Sequence, residues 1–378
     1  MKFDTVIIGG GLAGLVAGIS LQKEGRNTAI ISTGQNALHF FSGSFESIGK
    51  PSDRLVTLFA EAGIPLHYKE GVRLMPLGTF RPSALALEDI DIFPEPRFAG
   101  KVLVVNFMGY HDFFAPFLAE GLEKQGIECR VRLLNLPELE ALQLSQSGMR
   151  SSQMARILDP IWEKVVQEVR LILRDEDCVV LPQVFGMYDP SVPGLIREEL
   201  PVRVAFAGTL PPSVPGMRTQ QLLGRRFEKL GGRLLKGDNV LNARIDGNRV
   251  LSVGTKNLDR HQIQARNFIL ASGGYFSKGL KSNPFGIYEP VLGLDVEFDS
   301  DRNAWYDASF AADQPYMSYG VRTDAQLHAI RQGVTLENFY AIGSVLGATH
   351  PELGFGGGLA IRSAFTAVDS ILQSASEL

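Results

Sequence analysis

A strand, a glycine turn and a helix open this chain, and that order constrains its fold more than any other feature. The run 6–8 (Val-Ile-Ile) is apolar and β-branched, which predicts a buried parallel strand. Gly9, Gly11 and Gly14 then fit the pattern G-x-G-x-x-G, and an apolar segment of helical length begins at Leu12. The pattern therefore predicts a βα unit whose turn approaches a phosphate group.

Each glycine of this turn has its own physical reason. Gly9 allows the sharp turn out of the strand, Gly11 lets the backbone approach a phosphate, and Gly14 lets the helix pack closely on the strand. The helix N-terminus at Leu12 and Ala13 supplies amide groups and the positive end of the helix dipole, which together hold an anion. We therefore expect a nucleotide or flavin phosphate here; the alternative is a glycine-rich turn without a ligand.

The end of the second strand departs from the usual pattern. Residues 28–32 complete a βαβ unit, in which an acidic residue usually ends the second strand and holds a ribose diol. Ser32 and Thr33 occupy that place in this sequence. A hydroxyl pair can still bond a ribose, or it leaves room for a ligand other than an adenosine.

Composition excludes several classes of function. The 378 residues favour two interlocked domains, and a net charge of −4 gives no reason to expect nucleic acid or a strongly basic membrane-binding face. Cys129 and Cys178 lie far apart in apolar surroundings, so we expect two buried thiols in a reducing cytosol, with no disulfide framework and no metal site. No segment reaches the ~20 apolar residues of a membrane span.

The pattern of elements predicts an α/β fold in two parts. Residues 1–82 and 212–378 form a discontinuous, Rossmann-like flavin- or dinucleotide-binding domain, and residues 83–211 form an inserted α/β domain that acts as a cap or binds a partner. The apolar strand 101–107 begins the insertion, which lacks a phosphate-loop glycine pattern. Pro211-Pro212 marks the return to the first domain.

Two later strands also end in small residues. Ligands bind beyond the carboxyl ends of strands in an open parallel sheet, so these ends join the first turn as predicted cofactor contacts. A glycine run before the last helix, within 354–358, offers a second helix N-terminus, whose dipole suits an electron-rich ring such as a reduced flavin. The predicted contacts are Ala271, Ser272, Gly273, Gly343, Ser344, Gly356, Gly357 and Gly358.

The segment 37–44 is small and rich in hydroxyl groups, which is typical of a loop that passes under a flavin ring. Its predicted flavin contacts are Ser42, Gly43 and Ser44. Three further side chains are candidates for catalysis: His39, Arg81 and His350. The two histidines lie near glycine-rich loops. The arginine is a candidate because a guanidinium group can bind an anion through two parallel hydrogen bonds. The alternatives are a loop histidine with an ordinary partner and a surface arginine.

These residues carry a resemblance to a known superfamily. The sequence resembles the flavoproteins with two dinucleotide-binding domains, in the group of glutathione reductase and fumarate reductase. Within that group it resembles most the B subunits of anaerobic glycerol-3-phosphate dehydrogenases. The stretches that match the superfamily are 9–14, 270–274 and 339–343. Those that match the B subunits run from the first strand to the last: 3–15, 37–44, 76–79, 209–214, 289–296 and 341–347.

The resemblance implies a flavin-containing subunit, described for this family as an FMN protein. It also implies two partners. One is the catalytic A subunit, which contains FAD, and the other is an iron–sulfur C subunit that anchors the complex to the inner face of the cell membrane. The complex oxidises sn-glycerol 3-phosphate to dihydroxyacetone phosphate and passes electrons to a quinone. Ser32, and Ser344 where many FAD relatives have Asp or Glu, are consistent with an altered mode of flavin binding. The resemblance implies FMN, and FAD is the alternative.

Three hypotheses of function follow. The first is a catalytic flavoprotein subunit of the dehydrogenase complex. The second is a flavin electron relay or scaffold, because the sequence has no clear acid–base pair or Ser/His/Asp set. The third is a free-standing flavin oxidoreductase of another small anionic substrate, with Arg81, Arg218 and Arg322 as anion ligands.

Overall fold

The computed structural model describes residues 1–34, 36–45, 49–144, 148–258, 262–309, 312–349 and 356–376. The strands are β1 (Lys2–Ile8), β2 (Thr28–Ser32), β3 (Ser44–Phe45), β4 (Leu66–Leu74), β5 (Phe80–Leu87), β6 (Lys101–Phe107), β7 (Glu128–Leu134), β8 (Cys178–Pro182), β9 (Arg203–Ala207), β10 (Arg233–Lys236), β11 (Val240–Asp246), β12 (Arg249–Thr255), β13 (Ile263–Leu270), β14 (Lys281–Asn283), β15 (Gly286–Tyr288), β16 (Val296–Glu297), β17 (Gly320–Val321), β18 (His328–Arg331) and β19 (Val334–Ala341). The helices are α1 (Leu12–Lys23), α2 (Asp53–Glu61), α3 (Ala115–Glu123), α4 (Glu140–Gln143), α5 (Ser151–Leu158), α6 (Trp162–Ile172), α7 (Val192–Glu199), α8 (Val214–Lys229) and α9 (Gly356–Ser376).

The chain divides into two compact units. The first unit comprises Met1–Ala37 and Leu222–Leu378, and the second comprises Leu38–Gln221. The segment 83–211, which the sequence predicts to be an insertion, lies within the second unit, as do residues 38–82. Each unit contains a parallel sheet with helices, in agreement with the predicted α/β fold class.

The first unit is organised by a sheet with five parallel strands in the order β10-β2-β1-β13-β19. The sheet forks at β13: its first residues pair antiparallel with β12 and its last residues pair with β19. Helix α1 is buried from Leu12 to Leu21, and it packs against α9. A helix that is apolar all round suits this position because it is covered on every side.

The second unit has a four-stranded parallel sheet in the order β7-β6-β8-β9 and a three-stranded antiparallel sheet in the order β3-β5-β4. Its core includes the buried residues of β6 and β8. These strands are almost entirely apolar because both faces of a parallel sheet are covered. Both cysteines are free thiols on either side of Val102 of β6. Burial raises the pKa of each, Cys129 and Cys178, to about 12, which makes them unreactive.

Candidate functional site

The sheet of the first unit brings three of the predicted glycine turns to one edge. Ile8 at the end of β1 pairs with Leu270 at the end of β13, and Leu270 pairs with Ala341 at the end of β19. The turns that follow these three strands, residues 9–14, 271–274 and 343–344, are therefore neighbours. We call these three turns the glycine edge. It has the position in which open α/β sheets bind ligands.

Two glycines of the first turn are required by close backbone contacts. Gly9 has a φ of +121°, and a Cβ there would lie 2.1 Å from the carbonyl oxygen of Ala271. A Cβ at Gly14 would lie 2.0 Å from the carbonyl oxygen of Gly9. The sharp turn at Gly9 and the close helix–strand packing at Gly14 thus both follow the pattern that the sequence predicted.

Gly11 has a different environment. It is the N-cap of α1 with a φ of −78°, and a Cβ there would meet no atom within 4 Å. Any residue tolerates this backbone conformation, so protein packing does not require a glycine. Since Gly11 has no side chain, it cannot cap the amide groups of the first turn, which leaves them available to an anion. This geometry fits the approach of a phosphate group.

The end of β2 offers hydroxyl groups and no carboxylate. The side chain of Ser32 is 8% exposed, and its Oγ accepts a hydrogen bond of 3.2 Å from the amide of Gly34. A Cβ at Gly10 would lie 2.6 Å from Ser32 Oγ, so this hydroxyl lies close to the backbone of the first turn. Thr33, the next residue, is exposed. The usual ligand of a nucleotide ribose is therefore missing from this strand end.

The second turn contains a buried hydroxyl group without a partner. Ser272 Oγ is buried and makes no hydrogen bond to the part of the chain that the structure describes. The neighbouring Gly273 has a φ of +76° and lies close to Ser344 of the third turn. Buried hydroxyl groups are normally hydrogen-bonded, so an unpartnered one at a strand end is suited to a bound polar group. The glycine edge therefore fits a phosphate-bearing cofactor.

The third turn is tied to two helices. Gly343 has a φ of +72°, its amide donates a hydrogen bond of 2.9 Å to Ser363 Oγ of α9, and a Cβ there would lie 3.1 Å from the Cβ of Ala13. The predicted contacts Gly356, Gly357 and Gly358 form the first turn of α9. His350 and Gly354 lie outside the described residues.

In the second unit, the predicted residues of the segment 38–44 contact residues that are distant in the sequence. Nε2 of His39 lies 3.1 Å from Gln220 Oε1, and burial lowers the pKa of this imidazole, against the opposing effect of that hydrogen bond. Nδ1 of His39 is buried, with no hydrogen-bond partner among the described residues. Gly43 has a φ of +90°, and Ser44 Oγ is hydrogen-bonded to Ser83 Oγ. Ser42 lines a cavity of this unit.

This cavity, of about 220 Å³, is lined by residues of the second unit alone. Its lining comes from five separate segments and includes Arg73, Asp91 and Gln183. Sequence reasoning missed Arg73 and Gln183 because neither lies in a motif. Arg81, which the sequence singled out, is the cross-strand partner of Arg73 in the β4–β5 pair. The side chains of directly paired residues point to the same face of a sheet. Of these two arginines, only Arg73 is among the residues that line the cavity.

Two ion pairs hold the wall of this cavity at residues 89–91. Arg218 donates two hydrogen bonds of 2.7 Å to the carboxylate of Asp89, and both side chains are buried. Arg197 donates a hydrogen bond of 2.8 Å to Asp91 Oδ2. The guanidinium of Arg218, a candidate anion ligand from the sequence, is thus engaged by a carboxylate of the same chain.

Membrane-spanning helices and metal clusters do not occur in the described part of the chain. None of the described helices is both long enough and apolar enough to cross a membrane. No cluster of three or more metal-ligating side chains occurs among the same residues.

Comparison with known proteins identifies the family. The model of the FAD binding domain family matches residues 4–55 and 52–358. The chain is 35% identical to the B subunit of the anaerobic glycerol-3-phosphate dehydrogenase of Yersinia enterocolitica, over 99% of each chain. It is 31% identical to the protein of the same name from Vibrio cholerae, over 99% of this chain and 97% of that one.

Among solved structures, the chain is similar to a glycine oxidase of Bacillus cereus. The two are 11% identical with a TM-score of 0.39, over 99% of this chain and 96% of the oxidase. The full-length relatives, the FAD binding domain match and the glycine edge agree with one another. The chain belongs to the family of anaerobic glycerol-3-phosphate dehydrogenase B subunits, which are flavin-binding proteins of the oxidoreductase class.

Proposed function

We propose that this chain is a flavin-bearing subunit of an anaerobic glycerol-3-phosphate dehydrogenase that oxidises sn-glycerol 3-phosphate to dihydroxyacetone phosphate. The observation that carries the proposal is the glycine edge, where three parallel strands end in register in a chain that matches the B subunits over its full length. When bound, a flavin supplies an acceptor for the hydride of a substrate carbinol carbon. Electrons then leave the complex to a quinone.

The roles of the chain's own residues follow from their chemistry. Amide groups at Gly11, Leu12 and Ala13 bind the flavin phosphate through the N-terminus of α1. Ser272 Oγ, buried without a partner among the described residues, donates a hydrogen bond to a polar group of the cofactor. The N-terminal turn of α9 stabilises negative charge on the ring. The remaining proposed contacts are Gly9, Gly14, Ser32, Thr33, Ser42, Gly43, Ser44, Ala271, Gly273, Gly343, Ser344, Gly356, Gly357 and Gly358.

We propose FMN as the flavin. The support is the end of β2, where Ser32 and Thr33 stand in place of the acidic residue that usually holds the ribose of an adenosine. The family is named for FAD, which makes FAD the competing candidate. Acid extraction of the purified chain, supplied with both flavins, followed by chromatography, separates the two. Recovery of FAD alone would refute the assignment of FMN and leave the flavoprotein proposal intact; recovery of no flavin would refute both.

His39, Arg81 and His350 are the proposed substrate-facing residues. The lowered pKa of His39 keeps its imidazole neutral at pH 7, so it can accept a proton from a substrate hydroxyl. Arg81 provides a charge for the substrate phosphate. Replacement of His39 by Gln is expected to lower kcat for glycerol-3-phosphate oxidation by the assembled complex, whereas replacement of Arg81 by Met is expected to raise KM.

The proposed partners are two further subunits of the same complex. One is the catalytic A subunit, which contains FAD, and the other is an iron–sulfur C subunit that holds the complex at the inner face of the cell membrane. The support is the name of the relatives, in which each is a B subunit. Co-expression of a tagged chain with both candidate partners tests this assignment. We expect both partners in the membrane fraction with the tagged chain, and loss of the chain from that fraction when the C subunit is omitted.

A flavin relay without its own substrate chemistry is the second candidate. It is favoured by the composition of the glycine edge, because residues 9–14, 271–274 and 343–344 include no histidine, aspartate or glutamate to act as acid or base. Dye reduction by glycerol 3-phosphate discriminates the two candidates. A catalytic chain reduces the dye in the absence of the A subunit; a relay does so only in its presence.

A further inference from the structure

The first unit contains a pocket of about 310 Å³, lined by Val296, Glu297, Phe298 and Arg322. We call it the Arg322 pocket. None of its lining residues is among the proposed flavin contacts or the proposed substrate-facing residues. Pockets for small ligands have volumes of about 300–1,000 Å³ and a few polar groups that point inward, so the size and the two charged residues of this pocket suit a small polar molecule.

Strand pairing places the two charged residues of the pocket on one face. The strands β16 and β17 are antiparallel, with Glu297 opposite Gly320. The amide of Arg322 donates a hydrogen bond of 2.8 Å to the carbonyl of Asp295, so the pairing continues by one more residue. Glu297 and Arg322 are therefore diagonal neighbours on the same face of the strand pair, with about 7–8 Å between their Cα atoms.

Neither of these two charges is paired within the described part of the chain. Asp295, which lies directly opposite Arg322, is already engaged, because its two carboxylate oxygens accept from the amides of Gln332 and Gly333 at 2.8 Å each. The guanidinium of Arg322 and the carboxylate of Glu297 make no hydrogen bond or ion pair with the described residues, and both side chains are exposed. An unpaired cation and an unpaired carboxylate thus line the same pocket.

Gly320 leaves the position opposite Glu297 without a side chain. A Cβ at Gly320 would lie 2.5 Å from the amide nitrogen of Gly347, so packing requires glycine there. The amide of Gly347 donates a hydrogen bond of 3.1 Å to the carbonyl of Val321, which holds β17 against the segment that follows the third turn of the glycine edge. Since no side chain lies directly opposite Glu297, its carboxylate is open to a ligand.

We propose that the Arg322 pocket binds a small molecule that carries an oxyanion at one end and a hydrogen-bond donor at the other. The guanidinium of Arg322 binds the oxyanion, a phosphate or carboxylate group, through two parallel N–H groups. The carboxylate of Glu297 accepts a hydrogen bond from a hydroxyl or ammonium group of the same molecule. This assignment goes beyond the proposed flavin function, since it needs neither a bound flavin nor turnover.

A set of phosphate esters with the same carbon skeleton tests the proposal: ethyl phosphate, 2-hydroxyethyl phosphate and O-phosphoethanolamine. The full chain is saturated with flavin first, so that the glycine edge does not bind free phosphate groups, and calorimetric titration measures each affinity. We expect a donor-bearing ester to bind roughly tenfold more tightly than ethyl phosphate, because its donor reaches Glu297. The tighter of the two donor-bearing esters identifies the donor as hydroxyl or ammonium. Equal affinities of all the esters, or no binding of any, refute the proposal.

Substitutions then locate the bound ester. Arg322→Met is expected to abolish binding of all the esters. Glu297→Leu is expected to remove the advantage of the donor-bearing esters, while ethyl phosphate keeps or gains affinity. Both residues are exposed, so the Tm of the ligand-free chain is expected to stay unchanged.

Arg244→Met is the matched control, because it removes an exposed arginine of β11 that does not line the pocket. We expect it to bind each ester as the wild type does. Wild-type affinity in Arg322→Met would refute the proposal, and so would a preserved preference for the donor-bearing esters in Glu297→Leu.

Discussion

The glycine edge of the first unit and the cavity of about 220 Å³ in the second unit are formed in different ways. Backbone forms the glycine edge, because a Cβ added at Gly9 or at Gly14 would lie within 2.1 Å of the carbonyl oxygen of another residue. Side chains from separate segments line the cavity, and ion pairs engage Asp91 of the lining and the neighbouring Asp89. A site formed by backbone is therefore expected to be damaged when a methyl group is added to a glycine. A site formed by side chains is expected to be damaged when one residue of an ion pair is removed.

The largest effect is expected from breaking the buried ion pair between Arg218 and Asp89. Arg218→Met leaves the carboxylate of Asp89 buried without its partner, so we expect the second unit to lose about 3–5 kcal/mol of unfolding free energy. The chain has two tryptophans, with Trp162 in the second unit and Trp305 in the first. Urea unfolding followed by Trp162 fluorescence, in a Trp305→Phe background, measures the loss.

The double variant Arg218→Met, Asp89→Leu is the control for this prediction. It removes both charges, so much of the lost stability should return. An equal loss in the single and double variants would show that packing, and not the buried charge, supports this wall.

The next effect tests the backbone contact at Gly14. Gly14→Ala places a methyl group 2.0 Å from the carbonyl oxygen of Gly9, so α1 must shift away from the end of β1. Overpacking of this kind costs about 1–3 kcal/mol, although alanine alone would favour a helix by about 1 kcal/mol. Trp305 fluorescence in a Trp162→Phe background reports on the first unit. A more stable Gly14→Ala variant would contradict the close packing.

Gly11→Ala separates ligand binding from folding at the same turn. No protein atom lies within 4 Å of the added Cβ, so we expect unfolding free energy to change by less than about 0.5 kcal/mol. The same methyl group occupies the space of the proposed phosphate, and flavin affinity should fall roughly tenfold or more. Flavin fluorescence titration measures the affinity. Unchanged affinity would place the phosphate elsewhere.

The smallest effect concerns pH. Burial lowers the pKa of His39 in the folded chain below the 6.5 of an unfolded chain, so the unfolded state binds more protons between these two values. The stability that His39 contributes is present above pH 6.5 and is lost as pH falls through the folded pKa. We expect the stability of the wild type relative to His39→Gln to decrease between pH 7.5 and 5.5, as measured by urea unfolding. An increase would contradict the lowered pKa.

The sequence predicted the first turn of the glycine edge because two of its requirements are local, whereas the contact of Gly9 with Ala271 and the pairing of the three strands are long-range. A positive φ at Gly9 and the approach of α1 to β1 at Gly14 depend on neighbours within a few residues, and G-x-G-x-x-G encodes both. The start of α1 and the extent of β2 were also predicted at Leu12 and over 28–32, where apolar periodicity changes. The flavin and substrate roles of these residues stay predictions.

The cavity of the second unit could not be predicted in this way. The sequence singled out Arg81 from a turn, but strand register places Arg73 opposite it and burial selects Arg73 for the cavity. Gln183 follows β8 without any motif, and its unpartnered amide appears only when segments distant in the chain converge.

The sequence by itself determined the βαβ start, the glycines that its turn requires, and the hydroxyl groups that replace an acid after β2. These depend on local sterics and on residue identity. Only the tertiary structure decided which arginine and which amide line the cavity, and which carboxylate of its lining is engaged by another arginine. The physical reason is that register and burial are set by long-range packing, and the position of a charged side chain relative to a cavity depends on both.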